Sequence, residues 1–311
     1  LSESDLARLF RIINDNLVLS QLIEFTVEAN PGTLTNKKIS ILKNASVSRI
    51  SLGAQSFNTD ALKTLGRIHT DKQTEDSFNL LRKGGFENIS LDLIFAIPGT
   101  TVGLWEEDIR RAVALKPQHI STYCLTYEKK TPLTRKLKSG DISKLNENIE
   151  AKMYKTAVRL LAESGYRQYE ISNFALPSFE CRHNLNTWGY FSYVGLGPAA
   201  ASFIDGARMI NVSNIEKYCS LIKKNKHAVT QSESLLGKRK AGEVLMLSLR
   251  KIRGITECEF KKRTGLPLIE TFGKKIEEFR TQKLISLHNK RLRLTKRAFL
   301  VADSILSDFI E

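Results

Sequence analysis

The chain has 311 residues, 41% of them hydrophobic, and 48 Lys and Arg against 33 Asp and Glu give it a net charge of +15. That apolar content supports one large or two ordinary domains at roughly 150 residues each, and no apolar run approaches the ~20 residues that cross a bilayer. A polar, acidic start (Leu1-Ser2-Glu3-Ser4-Asp5) excludes a signal peptide, so a cytoplasmic protein without a membrane span is expected.

Leu6, Leu9, Phe10 and Ile13 recur at helical spacing from the first turn onward, which predicts that the chain opens inside an amphipathic helix and is a fragment whose upstream part is missing. Strands are predicted at 23–29, 47–54, 88–97, 119–126 and 167–172, with 88–97 reading as continuously apolar. Helices are predicted at 35–44, 59–66, 70–83, 104–115 and 146–164. Gly84-Gly85 and Gly165 end two of these helices, and Pro31-Gly32 and Pro98-Gly99 follow strands where the chain must turn. Short apolar strands alternating with helices predict a parallel sheet covered on both faces. Right-handed β-then-α units curl into a barrel or an open arc, and about five strands are too few for eight. The fold class is therefore α/β, a partial (incomplete) parallel β/α barrel.

From 235 the character changes. Helices at 242–249, 257–264 and 268–282, strands at 284–288 and 291–295, and a helix at 296–309 describe a C-terminal winged-helix-like α+β module. The predicted domains are 1–175, 176–234 as a connecting region, and 235–311. Residues 235–311 carry 18 Lys and Arg against 9 Asp and Glu; the other 234 residues carry 30 against 24. Such a module attracts nucleic acid, an acidic lipid surface or a polyanionic small molecule, and a solvated basic face accounts for it equally well.

In β/α barrels ligands sit at the carboxyl ends of the strands. Glu28, Gln55, Asp92 and Thr126 fall at or near such ends. One carboxylate there accepts from an amino group and another grips ribose hydroxyls. Arg67 is a planar donor suited to a ligand carboxylate. Amino group, carboxylate and ribose together describe S-adenosylmethionine, although Glu28 and Asp92 also read as helix caps or ion pairs at the rim of the core. Cys181, His183 and Trp188 fall in one short span, as at a porphyrin or metal site. His183 is either a histidine ordering a loop or an axial heme ligand, with Cys181 as another. Tyr123, Tyr127, Tyr169 and Phe174 supply either a flat surface for a macrocycle or ordinary core packing. The four cysteines, Cys124, Cys181, Cys219 and Cys258, are too spread for a disulfide framework; each taken alone also reads as a small buried hydrophobe.

Six segments in order resemble one known family. They are Glu-Ala-Asn-Pro-Gly-Thr at 28–33, Arg-Ile-Ser-Leu-Gly-Ala-Gln-Ser-Phe at 49–57, Leu-Gly-Arg-Ile-His at 65–69, Leu-Asp-Leu-Ile-Phe-Ala-Ile-Pro-Gly at 91–99, Gln-Tyr-Glu-Ile-Ser-Asn-Phe-Ala at 168–175 and Cys-Arg-His-Asn at 181–184. From about residue 20 onward the chain resembles the oxygen-independent coproporphyrinogen III oxidase-like radical SAM proteins, most closely their heme-chaperone branch.

The resemblance implies S-adenosylmethionine contacts from Glu28, Gln55, Arg67 and Asp92, with Thr126 and Ala201 where the cofactor touches backbone or packs. It implies heme contacts from His183, Asn184 and Trp188, on an HNxxYW-like motif in which Thr187 replaces the aromatic residue. The run 195–202 is similar to the family's glycine-rich loop, with fewer glycines. The family's CxxxCxxC motif, which holds a [4Fe–4S] cluster, has no counterpart here. No metal site is therefore expected in this chain, and the cluster cysteines are expected upstream of Leu1, in the full-length protein.

The expected function is a heme chaperone that carries heme to an acceptor the sequence does not identify. The alternative is an oxidase decarboxylating coproporphyrinogen III propionates by a 5′-deoxyadenosyl radical. The third reading is a basic winged-helix nucleic-acid binder; no aromatic-plus-basic stripe supports it, so nucleic acid is not favoured as a partner.

Overall fold

Serine, threonine and asparagine open most helices of this chain, and alternation organises its strands. The structure is a computed structural model that describes residues 1–310, and it divides into two units, Leu1–Glu180 and one beginning at Cys181.

The first unit runs α1 (Glu3–Asn16), β1 (Thr26–Ala29), α2 (Asn36–Asn44), β2 (Arg49–Gln55), α3 (Thr59–Thr64), α4 (Asp71–Lys83), β3 (Asn88–Phe95), α5 (Val102–Ala114), β4 (His119–Cys124), α6 (Pro132–Ser139), α7 (Glu147–Glu163), β5 (Arg167–Gln168) and β6 (Asn173–Ala175). Ser2, Thr35, Asn58, Thr70, Thr101, Thr131 and Asn146 each accept a backbone N–H at the start of a helix. The strand order is β1-β2-β3-β4-β6-β5; β1 to β4 are parallel, and β6 runs antiparallel to both its neighbours. The α/β class and the incomplete parallel barrel agree with the sequence. The antiparallel hairpin that ends the sheet does not, because a two-residue strand carries almost no periodic signal.

Register sorts the side chains. Glu28 pairs with Ser51, Ser51 with Ser90, Ser90 with His119, and Asp92 with Ser121. Alternate residues share a face. One face is therefore apolar: Ile50, Leu52, Ala54, Ile89, Leu91, Leu93 and Ile120 are fully buried. Each such larger side chain contributes roughly 1.5–3 kcal/mol. The other face carries Arg49, Ser51, Ser90, Asp92, His119 and Ser121. Residues 88–97 are thus not a continuous apolar run: β3 alternates, and only one side of it packs on helices. Phe95, Trp105 and Tyr154 stack at 5.6 and 6.4 Å, and Trp105 Nε1 donates to the Met153 carbonyl at 2.9 Å.

The second unit opens with α8 (Arg182–Trp188), then β7 (Ala201–Ile204), β8 (Ala207–Asn211), α9 (Ile215–Lys223) and β9 (Val229–Ser234). The three strands form an antiparallel sheet in chain order. Asp205 and Gly206, both left-handed, make the tight β7–β8 turn.

There follow α10 (Gly237–Arg250), β10 (Ile255–Thr256), α11 (Glu257–Thr264), α12 (Leu268–Thr281), β11 (Ile285–His288), β12 (Arg291–Leu294) and α13 (Ala302–Ser307). Helix, strand, two helices and a hairpin, with sheet order β10-β12-β11, is the winged-helix arrangement. Phe260, Phe272, Phe309 and Phe279 form its core, with rings 5.5 to 6.2 Å apart. Gly242 lets α10 approach the chain end: a Cβ there would lie 2.0 Å from the Phe309 carbonyl oxygen. The last helix is shorter than predicted, with a 3-10 turn at Ala298–Val301 taking its first part. On α12, Glu270, Glu277 and Glu278 balance Lys274, Lys275 and Arg280. No helix among the described residues is long and apolar enough to cross a membrane.

Candidate functional site

The rim at the carboxyl ends of β1, β2 and β3 is built by backbone strain and one buried carboxylate. β2 ends at Gln55 and β3 runs into Ala96, both left-handed at φ 63°. Non-glycine residues hold that conformation only where their surroundings enforce it. The enforcement comes from α5. Asp108, buried, accepts from Ser56 Oγ at 2.6 Å and from the Phe57 N–H at 2.7 Å. Arg111, one turn on, donates to the Phe57 carbonyl at 3.1 Å, lies 4.9 Å over its ring and pairs with Glu75 and Asp71. Burial pushes the Asp108 carboxyl up to about 6, with the Ser56 and Phe57 bonds opposing.

Gly53 lies beneath this rim. A Cβ on it would sit 2.8 Å from Gln55 Nε2 and 3.6 Å from Asn30 Oδ1. Arg67 donates to that same Asn30 oxygen at 3.3 Å. Glu28, exposed, pairs in register with Ser51, whose hydroxyl donates to Asp92 Oδ2 at 2.8 Å. Glu28 and Asp92 are thus joined through Ser51, and Gln55 and Arg67 both lie next to Asn30, with Asp92 one layer beneath the rim. Thr126 lies two residues past β4, its hydroxyl on the Cys124 carbonyl at 3.5 Å.

Below the rim the polar face is a connected network. Asp92 Oδ1 accepts from Ser121 at 2.7 Å and Ser90 at 3.4 Å. Burial raises its pKa, and the serines and Arg49 oppose that rise. His119 bridges Ser90 Oγ and Tyr169 Oη, both at 2.8 Å. Burial first, then Arg49, holds its pKa well below the ordinary histidine value, so the ring is neutral. Glu170 accepts from the Ser172 N–H at 2.8 Å and Asn173 Nδ2 at 2.5 Å, and Gln168 donates to Tyr154 Oη and the Ile171 carbonyl. The motif at 168–173 is thus a wall of this face. Tyr123 is 42% exposed, yet its hydroxyl, enclosed near Asp92 and Ser121, is pushed up to about 12, by burial first. Thr26 Oγ1, Arg49 Nε, Asn88 Oδ1 and Asn173 Oδ1 are buried on the same face without a hydrogen-bond partner. Thr26, Arg49 and Asn88 form one row at the amino ends of β1 to β3; at the other end exposed Glu28 and Arg67 beside Gln55 and the Asp92 network fit a polar ligand such as S-adenosylmethionine.

In the second unit the predicted heme residues lie on a helix, not a loop. Asn184 and Trp188 are one turn apart on one face of α8, while exposed His183 faces to the side. The His183 ring has no hydrogen-bond partner among the described residues. Trp188 Nε1 is buried without one, under Arg250 at 4.7 Å. The Phe191 ring folds back on Gly189, where a Cβ would be 2.5 Å from it, and Arg263 covers it at 5.2 Å. Ala201 opens β7 against Gly195, whose missing side chain leaves room for the Ala201 carbonyl. Ser202 and Asn211 tie down the 195–197 loop.

No group of three His, Cys, Asp or Glu among the described residues is placed to hold a metal ion. The four cysteines form no disulfide and do not cluster, so the residues present do not fit an iron–sulfur cluster. Sequence reasoning missed Ser51, Ser90, Ser121, His119 and Asp108. For the first four the signal was there, in the strict polar–apolar alternation of β2, β3 and β4. For Asp108 there was none.

The Radical SAM superfamily model matches residues 2–112, and the HemN C-terminal domain model matches 237–301. The heme chaperone HemW of Lactococcus lactis is 36% identical over 310 residues, covering 100% of this chain and 81% of that protein. The heme chaperone HemW of Bacillus subtilis is 35% identical over 311 residues, 100% of this chain and 82% of that protein. The mitochondrial radical S-adenosyl methionine domain-containing protein 1 of Danio rerio is 32% identical over 97% of this chain and 71% of its own length. Among solved structures, coproporphyrinogen III oxidase (HemN) from Escherichia coli superposes with a TM-score of 0.83, over 99% of this chain and 74% of that one, at 18% identity. That likeness concerns the fold.

Proposed function

This chain belongs to the heme chaperone HemW family of the radical SAM superfamily, and we propose that it binds heme on its second unit and passes it to an acceptor protein. The observation that carries this reading is His183: an exposed imidazole with no hydrogen-bond partner among the described residues, on a helix followed by the exposed ring of Phe191. Neutral imidazole is a good axial ligand for heme iron. Asn184 and Trp188, on the same helix, would be further heme contacts, and the acceptor is a separate protein in the cytoplasm.

The superfamily implies S-adenosylmethionine and a [4Fe–4S] cluster. Glu28, Gln55, Arg67 and Asp92 of the first unit would hold S-adenosylmethionine, with Thr126 as a further contact. In this reading Glu28 accepts from the amino group, Arg67 donates to the carboxylate, and Asp92 accepts from ribose hydroxyls. Residues 1–175 act as the radical SAM part, 176–234 connect, and 235–311 form the winged-helix part. The oxidase alternative leans on a fold likeness at 18% identity, which carries no activity. The nucleic-acid alternative would need a basic α12, and that helix is charge-balanced.

Titration of the chain with hemin tests the reading. A Soret band that sharpens and shifts on binding is expected, and His183→Ala should weaken binding about tenfold. A wild-type chain that leaves the hemin spectrum unchanged overturns it. Unchanged affinity in His183→Ala removes His183 as the ligand and leaves carriage standing.

A further inference from the structure

We propose that Lys251 and Arg263 form a carboxylate-binding site beside Phe191, built to seat a propionate of a tetrapyrrole whose flat body lies against that ring. The inference rests on the heme-carrying reading and deepens it, by naming the groups that take the pendant acid and not the metal.

Three observations carry it. The first is an enclosed lysine with no ion-pair partner among the described residues. Lys251 caps α10 and is 3% exposed, and its side chain makes no hydrogen bond or ion pair among the described residues. The stem is enclosed and only the ammonium tip meets water, so the charge is held in place with no counter-ion among those residues and is placed to serve a ligand.

The second is the sign of everything around it. Arg263 on α11, Arg253 in the turn after α10 and Arg291 on β12 all face Lys251 and repel it, and Glu259 on α11 is the one acid in the group. Glu259 is already committed. It accepts from the Thr256 N–H at 2.8 Å and the Thr256 hydroxyl at 3.0 Å as a capping box, and it pairs with Arg253 at 3.4 Å and Arg291 at 3.9 Å. Among the described residues Arg263 forms no ion pair either, and it donates to Ser248 Oγ at 3.3 Å. Among the described residues the cations here outnumber the one committed carboxylate.

The third observation selects which anion. The Arg263 guanidinium stacks 5.2 Å over the ring of Phe191, which is 53% exposed and rests on Gly189 at the end of α8. A carboxylate bound by Lys251 and Arg263 is therefore next to an open aromatic surface, on the chain segment that carries His183. A small inorganic anion would use the cations and leave the ring idle. A flat apolar body with a short pendant carboxylate uses both, because charge-assisted bonds take the acid and the ring takes the face.

The experiment titrates the whole chain with hemin and with hemin dimethyl ester, whose propionates carry no charge, following the Soret band. It compares wild type with Lys251→Met, Arg263→Gln and the charge-conserving Lys251→Arg. The wild type should bind hemin at least tenfold more tightly than the ester. Lys251→Met and Arg263→Gln should each lose about tenfold for hemin and nothing for the ester, and Lys251→Arg should keep most of the affinity. Equal binding of hemin and ester by the wild type overturns the carboxylate site and leaves heme carriage intact, as does unchanged hemin affinity in both neutral variants. A wild-type chain that binds neither compound overturns the carrier reading, and the site falls with it.

Discussion

The polar face of the first unit and the basic corner of the second both bury charge, and they do so in opposite ways. On the polar face the acids and the histidine are answered, although buried Arg49 keeps an unpartnered Nε: Asp92 takes three serine hydroxyls, Glu170 two N–H donors, and His119 is bracketed by Ser90 and Tyr169. In the corner, Lys251, Arg263, Arg253 and Arg291 confront a single committed carboxylate. A satisfied network is rigid before any ligand arrives and recognises by shape. An unanswered cluster is uncomfortable alone and is relieved by the ligand, so it recognises by charge. The contrast implies that changes to the polar face register mainly as stability, and changes to the corner mainly as affinity.

The largest effect that would break this contrast is at Asp108. Asp108→Ala strands the Ser56 hydroxyl and the Phe57 N–H and should lower stability by about 2–4 kcal/mol, measured by urea unfolding. An unchanged midpoint would mean that α5 does not support the rim. The same carboxyl gives a pH signature. Its pKa in the fold is raised to about 6 from an ordinary 3.8, so its contribution is fully present below about pH 4 and is lost as pH rises through 6. Relative to wild type, Asp108→Asn should gain on the order of 3 kcal/mol across that window, since a tenfold change in proton affinity is worth about 1.4 kcal/mol. A flat difference would refute the assignment.

Next comes the corner. Burial and the surrounding arginines press the Lys251 ammonium down to about 8 from 10.5. The fold thus favours the neutral amine: that contribution is present above pH 10.5 and is lost as pH falls through 8. Below pH 8 the ligand-free Lys251→Met chain should be more stable than wild type by about 2–3 kcal/mol, with the gap closing toward pH 10.5. Propionate-dependent hemin affinity should run the other way, falling as pH rises through 8. A Lys251→Met chain less stable than wild type at neutral pH would show the lysine to be an answered, structural charge.

Smaller changes sharpen the comparison. Ser90→Ala cuts the link between His119 and Asp92 and should cost about 1 kcal/mol by the same unfolding measurement. Lys63→Ala removes an ion pair to Asp60 between side chains that are 72% and 88% exposed; it should change stability by less than ~0.5 kcal/mol, and a larger loss would show that surface charge matters here more than the two buried sites suggest.

Much of the fold was legible because its signals are local. Gly84-Gly85 and Gly165 end helices, Gly85 and Gly165 in the left-handed region, and 3.6-residue periodicity marks α4, α5 and α7. The winged-helix part was readable for the same reason. The segment 176–234 was not: β7, β8 and β9 are short, β9 is exposed along its whole length, and α8 has no side-chain cap. The helix α6 was also missed. At the rim, Glu28, Gln55, Arg67 and Asp92 were found through strand ends and motif likeness, whereas Asp108 and Arg111 sit on an ordinary amphipathic helix, where nothing in the sequence separates a structural acid from a solvated one.

Residue order alone determined that β1 to β4 exist and roughly where, which helices follow them, and that their polar tips point the same way, since parallel strands joined by right-handed crossovers leave no other choice. Only the tertiary structure decided which charges are answered. Coulomb interactions and hydrogen bonds depend on distances of a few ångströms between residues tens of positions apart, Ser51 to Asp92 or Arg263 to Phe191, and chain spacing does not encode those distances.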